Sequence, residues 1–256
     1  GVDGLPNYRA NLPSGWGFNC PTQDLFDAFE EGDTRRESTI IYEGQYLYAD
    51  GDPETNEYIA SLGIEPEAPT GYFARKYTHS PDDAPSSNTT SGINMRIARY
   101  AEVLLLHAEA AFHTGKEAEA LEMVNKIRAR ARASTPPKGS QFENPGFPTR
   151  DGWDASYPTW DSNVPADLSA ITLQDIKNER RVELALEAHR AWDLIRWGDY
   201  EDALRTFPDN DMYIQRTAEE LISNYRSKLI DGKVPGLPIP PTEVTQFGLE
   251  QHPGYN

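Results

Sequence analysis

The stretch MRIARYAEVLLLHAEAAFHTGKEAEALEMVNKIRARARA, residues 95–133, decides the fold. Small and apolar side chains recur in its first twenty residues at spacings of four, three, four and three. This is the period of a helix face and not of a strand. A glycine follows as a helix stop. The spacing predicts a helix over residues 95–114, with its apolar face formed by Ile97, Ala101, Leu104, Ala108 and Ala111.

The same pattern continues after Gly115. It predicts a second helix over residues 116–133, on which Ala120, Val124, Ile127 and Ala131 share one face. With one residue between them, two helices of about 25 to 30 Å must fold back as an antiparallel hairpin. Such alanine-seamed pairs are the unit of tetratricopeptide-like arrays, which need about three pairs to bury a continuous core. We therefore expect a mostly α, tetratricopeptide-like scaffold whose other helices are disguised or missing.

Composition limits the class of protein. A chain of 256 residues is one large domain or two small ones, and 38% hydrophobic residues suffice for a folded core. Acidic residues outnumber basic ones by 41 to 24, and the resulting net charge of −17 disfavours nucleic acid and anionic lipid surfaces as partners. Cys20 is the only cysteine, which excludes an intramolecular disulfide and a four-thiolate metal site.

The segments before the hairpin carry weaker signals. We expect a short helix over residues 21–31, capped by Asn19, with Pro21 in its first turn and Gly32 at its end. Residues 39–42 and 46–48 predict a two-stranded ribbon, and residues 81–91 a polar surface loop. No apolar run is long enough to span a membrane. The start has neither Met nor a signal peptide, so we expect a fragment or a processed product.

After the hairpin, residues 134–170 form an insertion rich in proline, glycine and aromatic residues, far longer than an ordinary connection. Thr172 with Asp175 three residues on predicts a capping box and a helix that runs to about His189. A short helix should then reach Trp197, with Trp192 and Trp197 in the core. We expect another helix over residues 212–229 and a proline-stiffened extended strip over residues 234–241.

The third helix carries charges between two apolar sides, which predicts that it is sandwiched between layers. Buried charges must then be paired, because an uncompensated one costs several kcal/mol. This applies to Glu179, Arg180 and Glu183. The arginines nearest in sequence are the expected source of this ion pairing: Arg180, Arg181, Arg190 and Arg196.

Several motifs together resemble one family. They are RYAEVLLLHAEA (99–110), NKIRARA (125–131), ERRVELALEAHR (179–190) with DLIRWG (193–198), DAFEEGDTR (27–35), and the tail IPPTEV (239–244) through QHPGY (251–255). Their order and spacing are similar to the C-terminal half of the SusD/RagB family, over nearly the whole chain. One difference is Ala188, which stands where glycine is usual, and a helix at this point would favour the alanine by ~1 kcal/mol.

This resemblance implies a surface-exposed outer-membrane lipoprotein of Bacteroidetes-type bacteria. Such a protein captures oligosaccharides, or in some members peptides, and delivers them to a SusC-like TonB-dependent transporter that it covers as a lid. It implies no catalysis and no cofactor. The membrane would be reached only through a lipid anchor in the missing N-terminal part. It also implies one SusD/RagB-like C-terminal domain over residues 1–256, divided into a loop-rich part (1–94), a helical hairpin (95–133), an aromatic insertion (134–171) and a helical part (172–256).

Other chemistries have little support. Glu179 and Glu183 share a helix face, as a glycosidase pair would, but the surrounding arginines would keep both carboxylates ionised. His107 and His113 lie on different faces of their helix, so no metal site is expected there. The chain has no nucleophile elbow, Walker loop or dinucleotide-binding turn.

Acidic loops leave a calcium site open. Residues 50–61 resemble an EF-hand loop, but Thr55 and Ser61 stand where glycine and glutamate are required. An irregular calcium site here, or among the aspartates 151, 154 and 161, stays an alternative to a solvated acidic loop.

Aromatic residues on loops are the main candidates for ligand binding, because the C–H face of a sugar packs on a flat ring while its hydroxyls bind polar groups. The candidates are Tyr8 and Trp16 before the first helix, and Trp153, Tyr157 and Trp160 in the insertion. We therefore expect a glycan-binding module. The alternatives are a carboxylate-dependent glycoside hydrolase or lyase, and a tetratricopeptide-like scaffold that binds peptides.

Overall fold

The computed structural model describes residues 20–42, 72–76, 94, 96–134, 163–206 and 238–252. The chain divides into two compact units, residues 1–190 and 191–256, and the boundary lies at the start of one helix. The prediction of a single domain over residues 1–256 stays a prediction. The described residues are mostly helical, with one pair of two-residue strands, which confirms the mostly α expectation. No described helix is both long and apolar enough to cross a membrane.

The predicted hairpin is the largest part of the first unit. In chain order its helices are α3, Tyr100–His113, and α4, Glu117–Ala133. Gly115 joins them with φ +73°, a left-handed conformation that costs glycine little, and no other atom stands within 4 Å of where its Cβ would be. The backbone N–H of Lys116 donates to the Ala111 carbonyl at 2.9 Å and closes the turn.

The core lies along the seam of this hairpin. Leu105, Ala108 and Ala111 of α3 are buried together with residues of α4. The α4 members are Ala120, Met123, Val124 and Ile127, and Ile171, Ile176 and Leu184 complete the cluster. The predicted role of Ile97 is wrong: it precedes the helix and is 82% exposed. Ala101 and Leu104 pack against the cluster as partly buried residues.

The third strong helix, α5, spans Leu173–Glu183 and packs on α3. The predicted capping box is confirmed, since the Thr172 side chain accepts from the Asp175 N–H and the Asp175 carboxylate accepts from the Thr172 N–H. The helix ends at Glu183 and not near His189. The cause lies in the backbone: Leu186 and Ala188 have φ of +63° and +64°, which no α-helix accommodates.

The N-terminal elements differ in detail from the expectation. Helix α1 is Gln23–Asp27, and its cap is Thr22, whose hydroxyl accepts from the Leu25 N–H. Asp33 begins a second helix, α2, Thr34–Thr39, by accepting from the Arg35 N–H. Strand β1, Ile40–Ile41, pairs antiparallel with β2, Phe73–Ala74, and is fully buried. The predicted partner of β1, residues 46–48, lies outside the described residues, as does the predicted loop 81–91.

The second unit contains α6, Arg190–Trp197, which begins at the unit boundary, α7, Tyr200–Thr206, and α8, Pro241–Phe247. Helix α6 confirms the predicted short helix. The placement of Trp192 in the core is wrong, because its side chain is 71% exposed, and Trp197 is only partly buried, with the Arg196 guanidinium 4.7 Å from its ring centroid. The expected helix over residues 212–229 lies outside the described part of the chain, which resumes at residue 238.

Candidate functional site

None of the five candidate ligand-binding residues is among the described ones: Tyr8, Trp16, Trp153, Tyr157 and Trp160. What the structure does describe is the residues that adjoin the two segments that carry them: residue 20 after the first, and residues 134 and 163 on either side of the second. It also describes a set of paired charges in which the carboxylates are buried and one arginine, Arg130, is 55% exposed. We call this set the charged layer. Its members are Asp33, Arg35, Lys76, Arg99, Arg128, Arg130, Glu179, Glu183 and Glu187.

Glu183, at the end of α5, binds three arginines. Its carboxylate accepts from Arg99 at 2.7 Å, from Arg130 at 2.6 Å and from Arg35 at 3.1 Å. Its side chain is almost fully buried. Burial alone would raise the pKa of Glu183, but Arg130, Arg35 and Arg99 lower it below its ordinary value. The carboxylate is therefore held ionised.

Glu179 lies one helical turn earlier and joins two distant segments. It accepts from Arg35 at 2.5 Å and from Arg128 of α4 at 3.0 Å. The Arg35 guanidinium also donates two hydrogen bonds to the Asp33 carboxylate, at 3.0 Å and 2.7 Å. Burial would lower the pKa of Arg35, but the charges of Glu179, Asp33 and Glu183 outweigh it and raise the pKa. Three carboxylates around one buried guanidinium fix α2 against α5.

Glu187 organises the turn after α5. Arg99 donates to it at 2.7 and 2.9 Å, and Lys76 forms an ion pair with it. Burial would raise the pKa of Glu187, but the hydrogen bonds from Arg99 and Lys76 lower it. Burial lowers the pKa of Lys76, partly opposed by Glu187.

The backbone of this turn is clamped as well. Lys76 donates to the carbonyls of Glu183 and Ala185 at 3.2 and 3.0 Å, and Arg99 donates to the Glu183 carbonyl at 2.6 Å. These contacts hold the left-handed conformations of Leu186 and Ala188. The sequence argument that alanine suits position 188 as a better helix former is wrong, because the residue is not helical and left-handed backbone favours glycine.

The layer confirms that Glu179 and Glu183 are paired, but their partners are not the arginines expected from sequence. Arg181 pairs with Asp24, and Arg196 with Asp193 at 2.9 Å. The partners of Glu179 and Glu183 come instead from α2, α4 and the residue before α3, 53 to 148 positions away along the chain for Glu183. One sequence feature could have indicated these partners: α4 carries a row of arginines, and one of them, Arg128, lies on its buried face.

This arrangement does not resemble an acid–base pair. A general acid requires a carboxylate whose pKa is raised by apolar surroundings or a like charge. Glu183 has the opposite shift, and Glu179 accepts from two arginines. What these residues can do is fix four chain segments in one geometry.

A second, aromatic set lies beside α2. Phe26 stacks on Tyr72 at 5.1 Å and meets Tyr42 edge-on at 5.1 Å. The Arg36 guanidinium lies 4.7 Å from the Phe26 ring centroid, and Tyr42 donates to Glu37 at 2.6 Å. Tyr42, Tyr72 and Glu37 are buried and Phe26 is partly buried, so these rings pack mainly against one another. No local sequence pattern indicates this set, because Phe26 and Tyr72 are 46 positions apart in the chain.

Both segments that carry the candidate residues adjoin helices that the structure describes, α4 for the insertion and α1 for residues 1–19. The insertion leaves α4 at Ser134, and from residue 163 it returns along the same helix. There the Asn125 side chain donates to the Leu168 carbonyl at 3.0 Å and accepts from its N–H at 2.9 Å. Arg128 and Arg132 donate to the carbonyls of Ala166 and Pro165, both at 2.5 Å. Residues 1–19 lead into α1, which Arg181 anchors through Asp24.

Within the described residues, no three acidic, histidine or cysteine side chains converge to hold a metal ion. The Nε2 atom of His107 lies 2.7 Å from the Glu119 carboxylate. The aspartates considered for calcium lie in segments that the structure does not describe, so that alternative stays untested.

Comparison with known proteins agrees with the motifs. The SusD family model matches residues 5–255. The chain belongs to the SusD family. SusD-like protein P38 of Formosa agariphila is 31% identical over 210 residues, 75% of this chain and 34% of that protein. SusD-like protein P25 of the same organism is 27% identical over 192 residues, 75% of this chain and 28% of that protein.

A solved structure shows the same fold. A SusD-like protein from Bacteroides fragilis superposes with a TM-score of 0.50 at 25% identity, covering 78% of this chain and 40% of that one. Surface glycan-binding protein A from Bacteroides fluxus gives a TM-score of 0.49 at 24% identity, covering 99% and 44%. The likeness to the Bacteroides fragilis protein, together with the mostly helical elements, confirms the tetratricopeptide-like, SusD-like scaffold. The chain spans about a third of the length of the two Formosa relatives.

Proposed function

We propose that this chain is part of a non-catalytic, surface-exposed lipoprotein of the outer membrane that binds oligosaccharides and passes them to a SusC-like TonB-dependent transporter. The observation that carries the proposal is the SusD family match over residues 5–255. The net charge of −17 fits a neutral glycan better than a phosphate-rich partner.

The contacts at the ends of the two aromatic segments support the proposal. Sugar recognition is strongest when the rings are already held in a fixed orientation, because a mobile ring loses conformational entropy when the ligand binds. The insertion that carries Trp153, Tyr157 and Trp160 begins and ends on α4, where side chains of α4 bind its returning backbone. The segment with Tyr8 and Trp16 ends at the anchored helix α1. We propose these five residues as the stacking platform.

Affinity electrophoresis in polysaccharide gels tests the platform. Trp16→Ala and Trp153→Ala should each weaken retardation, since a stacked ring contributes about 0.5 to 1.5 kcal/mol beyond its buried area. Affinities in the micromolar to millimolar range are expected, about −8 to −4 kcal/mol. The matched control is Trp192→Ala, an exposed tryptophan outside the proposed platform, which should migrate as the parent does.

All three variants should melt within a few degrees of the parent. Retardation unchanged in both Trp16→Ala and Trp153→Ala would remove these residues from the site. Release of reducing sugar from the same polysaccharides would favour the hydrolase alternative, and retention of peptides without glycans would favour the peptide-binding alternative. Co-purification with an outer-membrane transporter tests the partner.

A further inference from the structure

Three polar side chains of α4 bind the backbone of the last part of the insertion. We call residues 163–170 the returning segment, and Asn125, Arg128 and Arg132 the polar row of α4. The row residues are three and four positions apart, so they follow one side of the helix. Taken in chain order, they contact residues that lie progressively earlier in the returning segment. The returning segment therefore runs along α4 in the opposite direction.

The contacts at the two ends of the row fix the register of the returning segment. Asn125 donates to the Leu168 carbonyl at 3.0 Å and accepts from the Leu168 N–H at 2.9 Å. Arg132 donates to the Pro165 carbonyl at 2.5 Å and forms an ion pair with Asp167 at 2.6 Å. Adjacent residues are about 3.8 Å apart along a chain, so a shift by one residue would move these groups beyond hydrogen-bond distance.

Apolar packing holds the returning segment only in part. The structure describes all of residues 163–170, and they form no helix or strand. Pro165 is the one buried residue among them, and Leu168 packs against the core as a partly buried one. The Asp167 side chain is 55% exposed, and an exposed ion pair contributes little to the free energy of unfolding. These contacts set the position of the chain more than the stability of the fold.

We infer that Asn125 and Arg132 are positioning residues for glycan binding, an inference that rests on the proposed function. They fix the returning segment on α4, and Trp160 of the stacking platform precedes Pro165 by five positions in the sequence. A site that has its binding-competent arrangement for only a fraction of the time has its affinity reduced by that fraction. Affinity for the glycan therefore depends on two side chains that do not contact it.

Arg128 is not assigned this role, although it belongs to the same row. It donates to the Ala166 carbonyl at 2.5 Å, but it also binds Glu179 at 3.0 Å and Glu30 at 2.6 Å. Its replacement would disturb the charged layer as well as the returning segment. Asn125 and Arg132 lie outside that layer, so their replacement tests the register alone.

Affinity electrophoresis of the full-length gene product, in gels of starch, xylan, galactomannan and pectin, tests the inference. The measured quantity is the dissociation constant for the polysaccharide that retards the parent most. Asn125→Ala and Arg132→Ala should each raise it about threefold, and the double variant about tenfold, because the competent fraction falls. Arg132→Lys should raise it less than Arg132→Ala, because an ammonium group reaches the Pro165 carbonyl or the Asp167 carboxylate but not both.

The matched control is Lys126→Ala. Lys126 follows Asn125 on α4 and pairs with Glu122 on the exposed surface, so this variant should keep the affinity of the parent. All variants should melt within a few degrees of the parent. If Asn125→Ala does not fold, the comparison of Arg132→Ala with Arg132→Lys decides the outcome.

Hydrogen exchange measured by mass spectrometry follows the returning segment without any glycan. Peptides that cover residues 163–170 should exchange faster in Asn125→Ala than in the parent, while peptides of α3 keep the parent rate. Faster exchange with unchanged affinity would show that the row is purely structural and would overturn the inference. Unchanged exchange together with unchanged affinity would overturn it too. A parent that none of the polysaccharides retards would instead contradict the proposed function, and the inference with it.

Discussion

Two regions of the molecule share α4 but are held together by different forces. One is the seam between α3 and α4, and the other is the charged layer. The seam is apolar, fully buried and made by two helices joined through a single glycine. The charged layer gathers its members from five separate segments between residues 33 and 187. Apolar contacts add up without strict geometry, whereas each buried charge requires its partner in place. The seam therefore supplies stability, and the layer fixes where the segments lie.

Removing one carboxylate from the charged layer should have the largest effect. Glu183→Gln leaves Arg35 and Arg99 without a full complement of negative charge in a buried site, and such losses cost about 3 to 5 kcal/mol. Urea unfolding measures the change. The matched control is Glu122→Gln, which breaks the exposed pair with Lys126 and should cost less than about 0.5 kcal/mol. Equal losses in both would show that burial does not set the strength of the layer.

Truncation in the seam should come next. Leu105 is fully buried, and Leu105→Ala should cost about 3 kcal/mol through lost transfer energy and a cavity. Val103→Ala, two residues away on the exposed side of the same helix, should cost less than about 0.5 kcal/mol in the 256-residue chain. A small loss at position 105 would mean that the seam relaxes to fill the space.

Acid should weaken the layer and leave the seam unchanged. Glu183 and Glu187 have pKa values below the ordinary 4.5, so their contribution is complete above that pH and is lost as pH falls through their folded-state pKa values. The slope is about 1.4 kcal/mol per pH unit for each proton taken up on unfolding. Unfolding free energy measured between pH 7 and 3 should fall less steeply for Glu183→Gln than for the parent. Leu105→Ala should keep the parent slope.

The smallest effect should have the opposite sign. Ala188→Gly should stabilise the protein by about 0.5 to 1 kcal/mol. A left-handed alanine costs about 1 to 2 kcal/mol, and glycine removes this cost. Glycine also increases the conformational entropy of the unfolded chain, which cancels part of the gain. The same substitution at the exposed helical residue Ala129 should destabilise by about 1 kcal/mol. Destabilisation at both sites would show that the Lys76 and Arg99 clamp does not strain the turn.

The comparison also explains what could be predicted from the sequence. The hairpin and the capping box depend on residues three to four positions apart, and their patterns are visible in the sequence. The pairing of β1 and the partners of Glu179 depend on segments distant in sequence, and no local pattern indicates them. The early end of α5 was missed because tertiary hydrogen bonds from Lys76 and Arg99 override the local preference of an alanine.

The candidate site was predicted only as a set of ring-bearing loops. Sequence identified the long insertion and its aromatic residues, but not that Asn125, Arg128 and Arg132 would bind its returning backbone. The misplacement of Trp192 has a related cause. A tryptophan in a helical motif is ordinarily buried, and only the arrangement of neighbouring helices shows which side is covered.

The distance of 148 residues between Arg35 and Glu183 has a consequence for biosynthesis. At a translation rate of roughly 5 to 20 residues per second, about 7 to 30 s pass between the synthesis of these two residues. During that interval the segment around α2 has emerged from the ribosome without its acidic partners on α5. The hairpin of α3 and α4 is also complete before α5 exists. Until residue 187 has been made, Arg99 and the arginines of α2 and α4 lack the full set of carboxylates, Glu179, Glu183 and Glu187, with which they pair in the layer.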